Sequence, residues 1–230
     1  MDKTEMIRIH FEEEAKEYDD IILKLIPFYR EMIGALILSI PFKKQAPIRV
    51  MDLGCGTGSV ARSVKDTFPN ARIDCLDLSE KMLQIAASKL RGCNEGGTYA
   101  VGDFYSFHFE DSYDVIVSSL ALHHLVTGED KEMFYGRIYN ALSPGGVFYN
   151  ADLLLGSSEY LQQGYLTKWK GFMSRSVSQD EIDNKWMVKY EQEDSPSVLV
   201  NQLKWLEKIG FRNVDVVWKY YNFGVYGGQK

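Results

Sequence analysis

Short apolar runs alternate with amphipathic stretches through the middle of the chain. The strand-like runs are 48–53, 71–78, 96–104, 113–122 and 146–155, and the helix-like stretches between them are 58–68, 79–90 and 131–142. Strands that alternate with helices at such short intervals are typical of parallel βαβ units. The pattern therefore predicts an α/β fold with a doubly wound sheet, whose core covers residues 46–155.

The two flanks of this core follow other patterns. Apolar residues recur at helical spacing over 4–40, with a break expected at Pro27, so residues 1–45 are predicted to form a helical lid. Glycines and aromatic residues without a strand pattern predict a helical cap insertion over 156–196. Residues 197–230 are predicted to complete the core with a last helix and a C-terminal β-hairpin.

The charge and the cysteines narrow the function classes. The net charge is −6, whereas a nucleic-acid binder needs a basic face, so a nucleic-acid substrate is disfavoured. Cys55, Cys75 and Cys93 show neither metal-binding spacing nor a secreted framework, and the acidic N-terminus does not resemble a signal peptide. No apolar stretch is long enough to span a bilayer. The expectation is a cytoplasmic protein with no metal and no membrane partner.

Three glycines at alternate positions stand where the first predicted strand meets the first predicted helix. The stretch VMDLGCGTGSVA places Gly54, Gly56 and Gly58 in that turn. Glycine permits positive φ and lets the backbone approach a ligand at the carboxyl end of a sheet. The spacing fits the G-x-G-x-x-G of dinucleotide folds poorly and lacks the lysine of a P-loop. S-adenosylmethionine (SAM), which has no phosphate, is the ligand that the turn fits better.

Carboxylates follow the first three predicted strands in order. Asp52 can accept hydrogen bonds from the ammonium group of SAM, and Asp77 ends the second strand where a ribose-binding acid is expected. Asp103 follows the third strand and can bind the adenine amino group, while Leu78 and Phe104 can cover the adenine faces. One acid at a strand end is a weak signal, but the ordered set predicts a SAM site.

Five stretches resemble the successive motifs of class I SAM-dependent methyltransferases. They are VMDLGCGTGSVA, IDCLDLSEKML, VGDF, YDVIVSSLALHHL and LSPGGVF. The resemblance implies a Rossmann-like methyltransferase fold with a seven-stranded, mostly parallel sheet whose last strand is antiparallel. It implies SAM as the methyl donor and S-adenosylhomocysteine as the product. Further cofactor-binding residues expected at this site are Tyr18, Cys55, Met82 and Leu120.

The two ends of the chain resemble one branch, the carboxy-SAM synthases, and on that resemblance Tyr29 and Ser119 would also contact the cofactor. The chain departs from the branch, because it keeps the ordinary GCGTG loop and has no arginine between Arg175 and Arg212 to pair with an extra carboxylate. A lysine replaces a bidentate guanidinium poorly. The sequence therefore favours methyl transfer to a small-molecule acceptor. A carboxy-SAM synthase or carboxymethyl-transfer enzyme is the first alternative.

Catalytic candidates follow the fourth and fifth predicted strands. His123 is expected either to shape the cofactor site or to act as a base, and His124 is expected to be a packed or capping residue. Asp152 is expected either to face the methyl group or to be a hydrogen-bonded structural acid. The aromatic residues of the cap predict either simple packing or an apolar acceptor pocket. A non-catalytic SAM-binding protein is the second alternative, and the acceptor, the methylated atom and a homodimer stay open.

Overall fold

The computed structural model describes residues 3–230. Its centre is a sheet of eight strands. The strands are β1 (Arg49–Leu53), β2 (Arg72–Asp77), β3 (Tyr99–Val101), β4 (Tyr113–Ser119), β5 (Leu142–Leu155), β6 (Ser197–Val198), β7 (Arg212–Tyr220) and β8 (Phe223–Gln229). The order across the sheet is β3-β2-β1-β4-β5-β8-β7, and β6 pairs with the end of β5. The pairs among β1 to β5 are parallel, whereas β8 is antiparallel to both β5 and β7. The predicted fold class is confirmed.

Helices surround the sheet. They are α1 (Lys3–Glu14), α2 (Tyr18–Leu25), α3 (Tyr29–Leu38), α4 (Ser59–Thr67), α5 (Glu80–Lys89), α6 (Gly128–Ala141), α7 (Glu159–Met173), α8 (Gln179–Glu181), α9 (Met187–Glu193) and α10 (Leu199–Ile209). A 3-10 turn covers Leu122–His124, and a π-helical turn covers Ile182–Trp186. The predicted helical segment 1–45 begins two residues before the described part of the chain.

The side chains of β4 pack into two hydrophobic clusters, one on each face of the sheet. Val115 and Val117 pack in a cluster with residues of α3 and α4, whereas Ile116 packs in a second cluster with Phe134 and Tyr135 of α6. Successive strand residues point to opposite faces, so a strand covered on both faces is apolar throughout. The continuous apolar run read from the sequence therefore corresponds to a strand buried on both faces.

Side-chain caps explain where two helices of the core begin. The Ser79 hydroxyl accepts a 3.2 Å hydrogen bond from Met82 N, as predicted for the start of α5. At the start of α6, Thr127 and Asp130 form a capping box, in which each side chain accepts a hydrogen bond from the other residue's backbone N–H. The capping box starts α6 at Gly128, three residues before the start expected from the apolar pattern.

The structure differs from the sequence pattern at several element ends. β4 ends at Ser119 because Leu120 has a φ of 52°, which an extended strand cannot continue. Residues 197 and 198, predicted as helical, instead pair in parallel with Leu154 and Leu155, so α10 begins at Leu199. A turn at 15–17 separates α1 from α2, in addition to the predicted break near Pro27. No helix within residues 3–230 combines the length and apolarity needed to cross a bilayer.

Candidate active site

The turn between β1 and α4 has positive φ at each of its three glycines, with values of 66°, 52° and 79° at Gly54, Gly56 and Gly58. Two of them are also packed closely: an added Cβ on Gly54 would lie 2.3 Å from the Ala121 Cβ, and one on Gly58 would meet α5 at 2.9 Å. An added Cβ on Gly56 would reach only Tyr18, at 3.9 Å. The backbone of Gly56 therefore lies beside open space, as a ligand cradle requires.

Asp77, at the end of β2, holds this glycine loop in place. Its Oδ2 accepts a 2.7 Å hydrogen bond from Gly56 N, and its Oδ1 accepts a 2.9 Å hydrogen bond from Ser79 N. Burial raises the pKa of Asp77 to about 6, although the N–H groups around it favour the charged form. The carboxylate still has lone pairs for a further donor, because each oxygen can accept more than one hydrogen bond.

Asp52, near the end of β1, is buried with one oxygen unused. Its Oδ2 accepts a 3.0 Å hydrogen bond from Ala61 N in the first turn of α4. Its Oδ1 is buried without a hydrogen-bond partner among the described residues. Burial, together with a smaller effect of the charge of Asp77, raises the pKa of Asp52 to about 7. An unpaired buried carboxylate oxygen is costly and points to a missing donor.

A first cavity, of about 80 Å³, lies beside the loop. Ten of the predicted cofactor residues line it: Tyr18, Gly54, Gly56, Asp77, Leu78, Met82, Asp103, Phe104, Ser119 and Leu120. Thr4, Ile7 and Phe11 of α1 also line it. The structure therefore brings the strand-end residues of β2, β3 and β4 to one crevice under the N-terminal helix.

Polar contacts fasten the N-terminal helices to the loop and to α5. The Glu12 carboxylate accepts a 3.0 Å hydrogen bond from the Ser79 hydroxyl. Asp19 accepts a 2.5 Å hydrogen bond from the Thr57 hydroxyl and lies 2.7 Å from Lys89 Nζ. These contacts hold α1 and α2 across the carboxyl ends of β1 and β2, so the first cavity is covered from that side.

A second cavity, of about 120 Å³, lies between the N-terminal helices and the helices α7 and α9. Its wall is mainly apolar and aromatic, with Ile22, Leu25, Trp169, Met173, Trp186, Tyr190 and Phe223 among its members. The Trp169 indole N–H donates a 2.8 Å hydrogen bond to the Leu25 carbonyl, which ties α7 to α2. Phe11, Tyr18, Leu120 and His124 line both cavities, so the two cavities share a wall.

His123 is an imidazolium held between two carboxylates. Its Nδ1 lies 2.5 Å from Asp152 Oδ1, and its Nε2 lies 3.3 Å from Asp194 Oδ1. Burial alone would lower the pKa of His123, but the charges of Asp152 and Asp194 outweigh burial and raise that pKa to about 10. A base needs a nitrogen free to accept a proton, and here both nitrogens are occupied. The ring contributes to the wall of the second cavity without a free nitrogen.

The environment of His124 lowers its pKa, whereas that of His123 raises its pKa. Its Nδ1 lies 3.2 Å from the Glu193 carbonyl oxygen, and its Nε2 is buried with no hydrogen-bond partner among residues 3–230. Burial and the positive charge of His123 lower the pKa of His124 to about 4. The two neighbouring imidazoles, whose centroids are 4.3 Å apart, therefore differ in charge at neutral pH.

A single carboxylate from α1 pairs with two lysines, of which Lys189 lines the second cavity. Glu14 lies 3.1 Å from Lys185 Nζ and 2.8 Å from Lys189 Nζ. The Glu14 Oε2 atom also lies 2.8 Å from His10 Nε2. Burial raises the pKa of Glu14, but the hydrogen bonds from His10 and Lys189 outweigh burial and lower that pKa to about 2. Neither lysine is left unpaired beside the cavity.

Several residues expected at the site stand outside both cavity walls. They are Tyr29, Asp52, Cys55, Gly58 and Asp152. Cys55 packs in the core, and Asp152 has both oxygens engaged, by His123 and Leu153 N on one side and by Asn150 on the other. Asp152 thus has the geometry of a hydrogen-bonded structural acid, which is one of the two roles expected for it.

The sequence predicted the N-terminal segment as a helical lid, but it gave no signal that Phe11 of α1 lines both cavities. Nothing in the local sequence separates His124 from His123, because the residues that decide between them, Glu193 and Asp194, come from α9 and the segment after it.

Three side chains near the shared wall have ligating atoms within 4.8 Å of one another, as a metal site would require. They are His123, His124 and Asp194. Ion pairs already engage three of their ligating atoms, since Asp194 Oδ1 lies 3.3 Å from His123 Nε2 and 3.6 Å from His124 Nδ1. The expectation of a protein without a metal stays a prediction.

Comparison with known proteins finds a family match over part of the chain. Residues 50–146 match the family described as methyltransferase domain. The carboxy-S-adenosyl-L-methionine synthase of a Nitratiruptor species is 28% identical over 220 residues, which cover 94% of this chain and 90% of that protein.

Solved structures agree on the fold. Phosphoethanolamine N-methyltransferase 2 of Haemonchus contortus, in complex with SAM, superposes with a TM-score of 0.60 at 23% identity, over 82% of this chain and 38% of that protein. Human N-acetylserotonin methyltransferase, also with SAM, has a TM-score of 0.57 at 20% identity, over 87% of this chain and 51% of that protein. The chain thus spans about half or less of these two proteins' lengths, and at this identity the likeness concerns the fold.

Proposed function

Because the chain is a class I SAM-dependent methyltransferase, we propose that its first cavity binds SAM and that its second cavity binds a small molecule that is methylated. The shared wall carries this proposal, since Phe11, Tyr18, Leu120 and His124 border both cavities. Methyl transfer needs a donor and an acceptor that meet in line with water excluded. Two cavities that meet at four side chains provide for that arrangement.

The residues of the first cavity fit the parts of SAM. Asp77 has lone pairs for the ribose hydroxyls, and Asp103 and Phe104 line the same wall for the adenine. The Ser119 hydroxyl in the same wall is buried without a hydrogen-bond partner within residues 3–230. Buried polar atoms are normally paired, so a polar group of SAM at this place would satisfy it.

The chain's own contribution to catalysis is positioning and the exclusion of water. When bound, SAM supplies a methyl carbon activated by its sulfonium. The glycine loop and Asp77 fix the backbone against which the cofactor lies. Phe11 and Leu120 place apolar surface in the shared wall, which keeps water from the reacting atoms. The apolar wall of the second cavity selects an acceptor by shape and burial.

Calorimetric titration with SAM tests the first part of the proposal. We expect saturable binding to the wild-type protein and an unchanged heat for a matched surface variant, Asp66→Asn, whose side chain is 59% exposed on α4. Incubation with methyl-labelled SAM and a defined panel of phenols, amines and carboxylic acids tests the second part. Absence of SAM binding would overturn the whole proposal, whereas binding without transfer to any panel member would favour a non-catalytic SAM-binding protein.

A carboxy-SAM synthase is the second candidate, because a protein of that name matches the chain over 94% of its length. An extra carboxylate on the cofactor would need a cation, and Lys185 and Lys189, which share the single carboxylate of Glu14, are the lysines that could supply one. The mass of the nucleoside that co-purifies with the protein separates the candidates. SAM or S-adenosylhomocysteine supports methyl transfer, and a carboxylated nucleoside supports the synthase.

The segments around the core have proposed roles as well. We assign residues 1–45 as a lid over the cofactor and residues 156–196 as a cap over the acceptor. The three cysteines are free, which suits the reducing conditions of the cytoplasm, our proposed location. A homodimer and the exclusion of nucleic-acid substrates stay predictions.

A further inference from the structure

The sheet gives little support to the segment that carries Asp103 and Phe104. This segment follows β3, which has only three residues and lies at the edge of the sheet. Val101, the last residue of β3, is 59% exposed. The strands β1, β2 and β4, by contrast, each pair with a neighbour on both sides. The segment after β3 therefore needs contacts from outside the sheet to keep one position.

A turn within the segment leaves part of the Asp103 carboxylate available. Tyr105 N donates a 3.1 Å hydrogen bond to Asp103 Oδ1, and Phe107 N donates a 2.8 Å hydrogen bond to the Asp103 carbonyl. Asp103 Oδ2 accepts no hydrogen bond from residues 3–230, and Asp103 lines the first cavity. An ionised carboxylate can only accept, so this oxygen is suited to a donor on a ligand.

Arg137 of α6 holds the segment from behind. Its Nη1 donates a 2.9 Å hydrogen bond to the Phe104 carbonyl and lies 3.4 Å from the Tyr105 carbonyl. The guanidinium also lies over the Phe134 ring, 5.2 Å from its centroid, and the Phe134 ring lies 5.1 Å from that of Phe104. Arg137 thus supports both the backbone of Phe104 and, through Phe134, its ring.

The charge of Arg137 is not used in an ion pair. No carboxylate within residues 3–230 pairs with it, whereas Arg8, Arg49 and Arg62 each pair with one. Its Nη2 is buried without a hydrogen-bond partner in the same part of the chain. A buried donor left unpaired is costly, so an arginine whose hydrogen bonds go to the carbonyls of this segment has a role there beyond packing.

The Tyr105 hydroxyl makes a second connection to α6. It accepts a 2.9 Å hydrogen bond from Val126 N and donates a 3.2 Å hydrogen bond to Asp130 Oδ2. Asp130 belongs to the capping box that begins α6. The segment is therefore joined to the start of α6 by Tyr105 and to a later turn of the same helix by Arg137.

We propose that Arg137 and the Tyr105 hydroxyl are positioning residues, which hold Asp103 where its carboxylate accepts a hydrogen bond from the amino group of the purine base. The inference rests on the proposed function and deepens it, because it assigns the contacts that make the first cavity prefer a 6-aminopurine. A hydrogen bond weakens steeply with poor distance and angle. An Asp103 that is free to shift would lose this preference even with its carboxylate intact.

A pair of ligands isolates the amino group. The first is S-adenosylhomocysteine, and the second is its analogue in which hydrogen replaces the 6-amino group. The two share every other part, so the ratio of their Kd values reports on that group alone. We expect the wild-type protein to bind S-adenosylhomocysteine about 10-fold tighter or more, because the analogue cannot donate to a charged acceptor. Asp103→Ala should bring the ratio close to one.

Variants of the positioning residues are then compared by calorimetry with both ligands. Arg137→Met keeps a long side chain on Phe134 and removes the N–H groups, and Tyr105→Phe keeps the ring and removes the hydroxyl. We expect each variant to lower the ratio by about 3-fold or more, and Arg137→Lys, which keeps one charged donor, to retain part of it. The control is Arg62→Met, the same substitution at an exposed arginine on α4, which should keep the wild-type ratio.

The outcomes separate this inference from the proposed function. If the wild-type protein does not bind S-adenosylhomocysteine, the proposed function fails and the inference fails with it. Equal affinity of the wild-type protein for the two ligands overturns the inference alone. An equal loss of affinity for both ligands in the variants overturns the positioning role, because a purely structural effect leaves the ratio unchanged. If Arg137→Met does not fold, Tyr105→Phe, at a side chain that is 45% exposed, still gives the ratio.

Discussion

Asp77 Oδ2 lies 2.7 Å from Gly56 N, and this hydrogen bond joins the tip of β2 to the one glycine of the loop that faces open space. The same carboxylate accepts a 2.9 Å hydrogen bond from Ser79 N at the start of α5. One side chain thus orders two walls of the first cavity, because both the loop and the start of α5 depend on its oxygens.

The variant Asp77→Asn tests this arrangement. An amide has only one acceptor oxygen, so one of the two backbone N–H groups loses its partner and the ribose loses a charged acceptor. Hydrogen bonds to charged groups contribute about 1.5–3 kcal/mol, so we expect SAM affinity to fall by roughly 10-fold or more in calorimetry. The control is Asp111→Asn, which alters an exposed carboxylate paired with Arg49. Equal affinities for the two variants would contradict the role of Asp77.

A pH-dependent loss of stability is expected from Asp52. Burial raises its pKa from 3.8 to about 7, so between these values the folded protein holds a proton that the unfolded chain has released. Stability is therefore lost as the pH rises through this window, by at most about 1.4 kcal/mol per pH unit. The variant Asp52→Asn should not show this loss of stability with rising pH.

Urea unfolding of the wild-type protein and Asp52→Asn at several pH values measures the effect. The difference in unfolding free energy should shift in favour of the variant as the pH rises from about 4 to about 7. Other titrating groups cancel in that difference. If the difference does not change with pH, Asp52 titrates at its ordinary value and its burial has been misjudged.

Two glycine variants should separate folding from binding. Gly54→Ala places a Cβ 2.3 Å from the Ala121 Cβ and also strains a φ of 66°, so we expect a marked loss of thermal stability. The Cβ added by Gly56→Ala meets open space, so the variant should lose only the stability that positive φ costs, about 1–2 kcal/mol. Its larger effect should be on SAM binding, because the methyl group enters the cradle. Equal stability of the two variants would contradict this account of the loop.

Asp152 is expected to matter for stability and not for SAM binding. Asp152→Asn leaves the His123 imidazolium with one of its two carboxylates, and breaking a buried ion pair costs about 3–5 kcal/mol. His123 contributes stability that is fully present below about pH 6.5 and is lost as the pH rises through about 10, so the cost should be largest at neutral and lower pH.

Thermal denaturation at pH 6, beside SAM titration, checks the prediction for Asp152. Asp66→Asn breaks an exposed ion pair by the same substitution and should cost less than about 1 kcal/mol. A stable Asp152→Asn that binds SAM and has lost methyl transfer would instead support a catalytic carboxylate.

The sequence predicted the sheet, and it predicted that strand-end acids would lie near one crevice, for a physical reason. The carboxyl ends of parallel strands meet at one edge, so Asp77 and Asp103 had to approach each other once the alternation of strands and helices was recognised. The glycine spacing was readable in the same way, because only glycine takes the positive φ observed at Gly54 and Gly56 without strain.

The division of roles between His123 and His124 could not be read from the sequence. Both follow β4 within one 3-10 turn, and their different charges come from Asp152, Asp194 and Glu193, which the fold brings from other parts of the chain. Asp52 is a similar case, because its place in the motif does not reveal that Ala61 N takes one of its oxygens.

A crystal structure with S-adenosylhomocysteine tests the central claim most directly. We expect the adenosine between Asp77 and Asp103, with the sulfur at the wall formed by Phe11, Leu120 and His124. A nucleoside bound elsewhere, or a sulfur turned away from the second cavity, would contradict it.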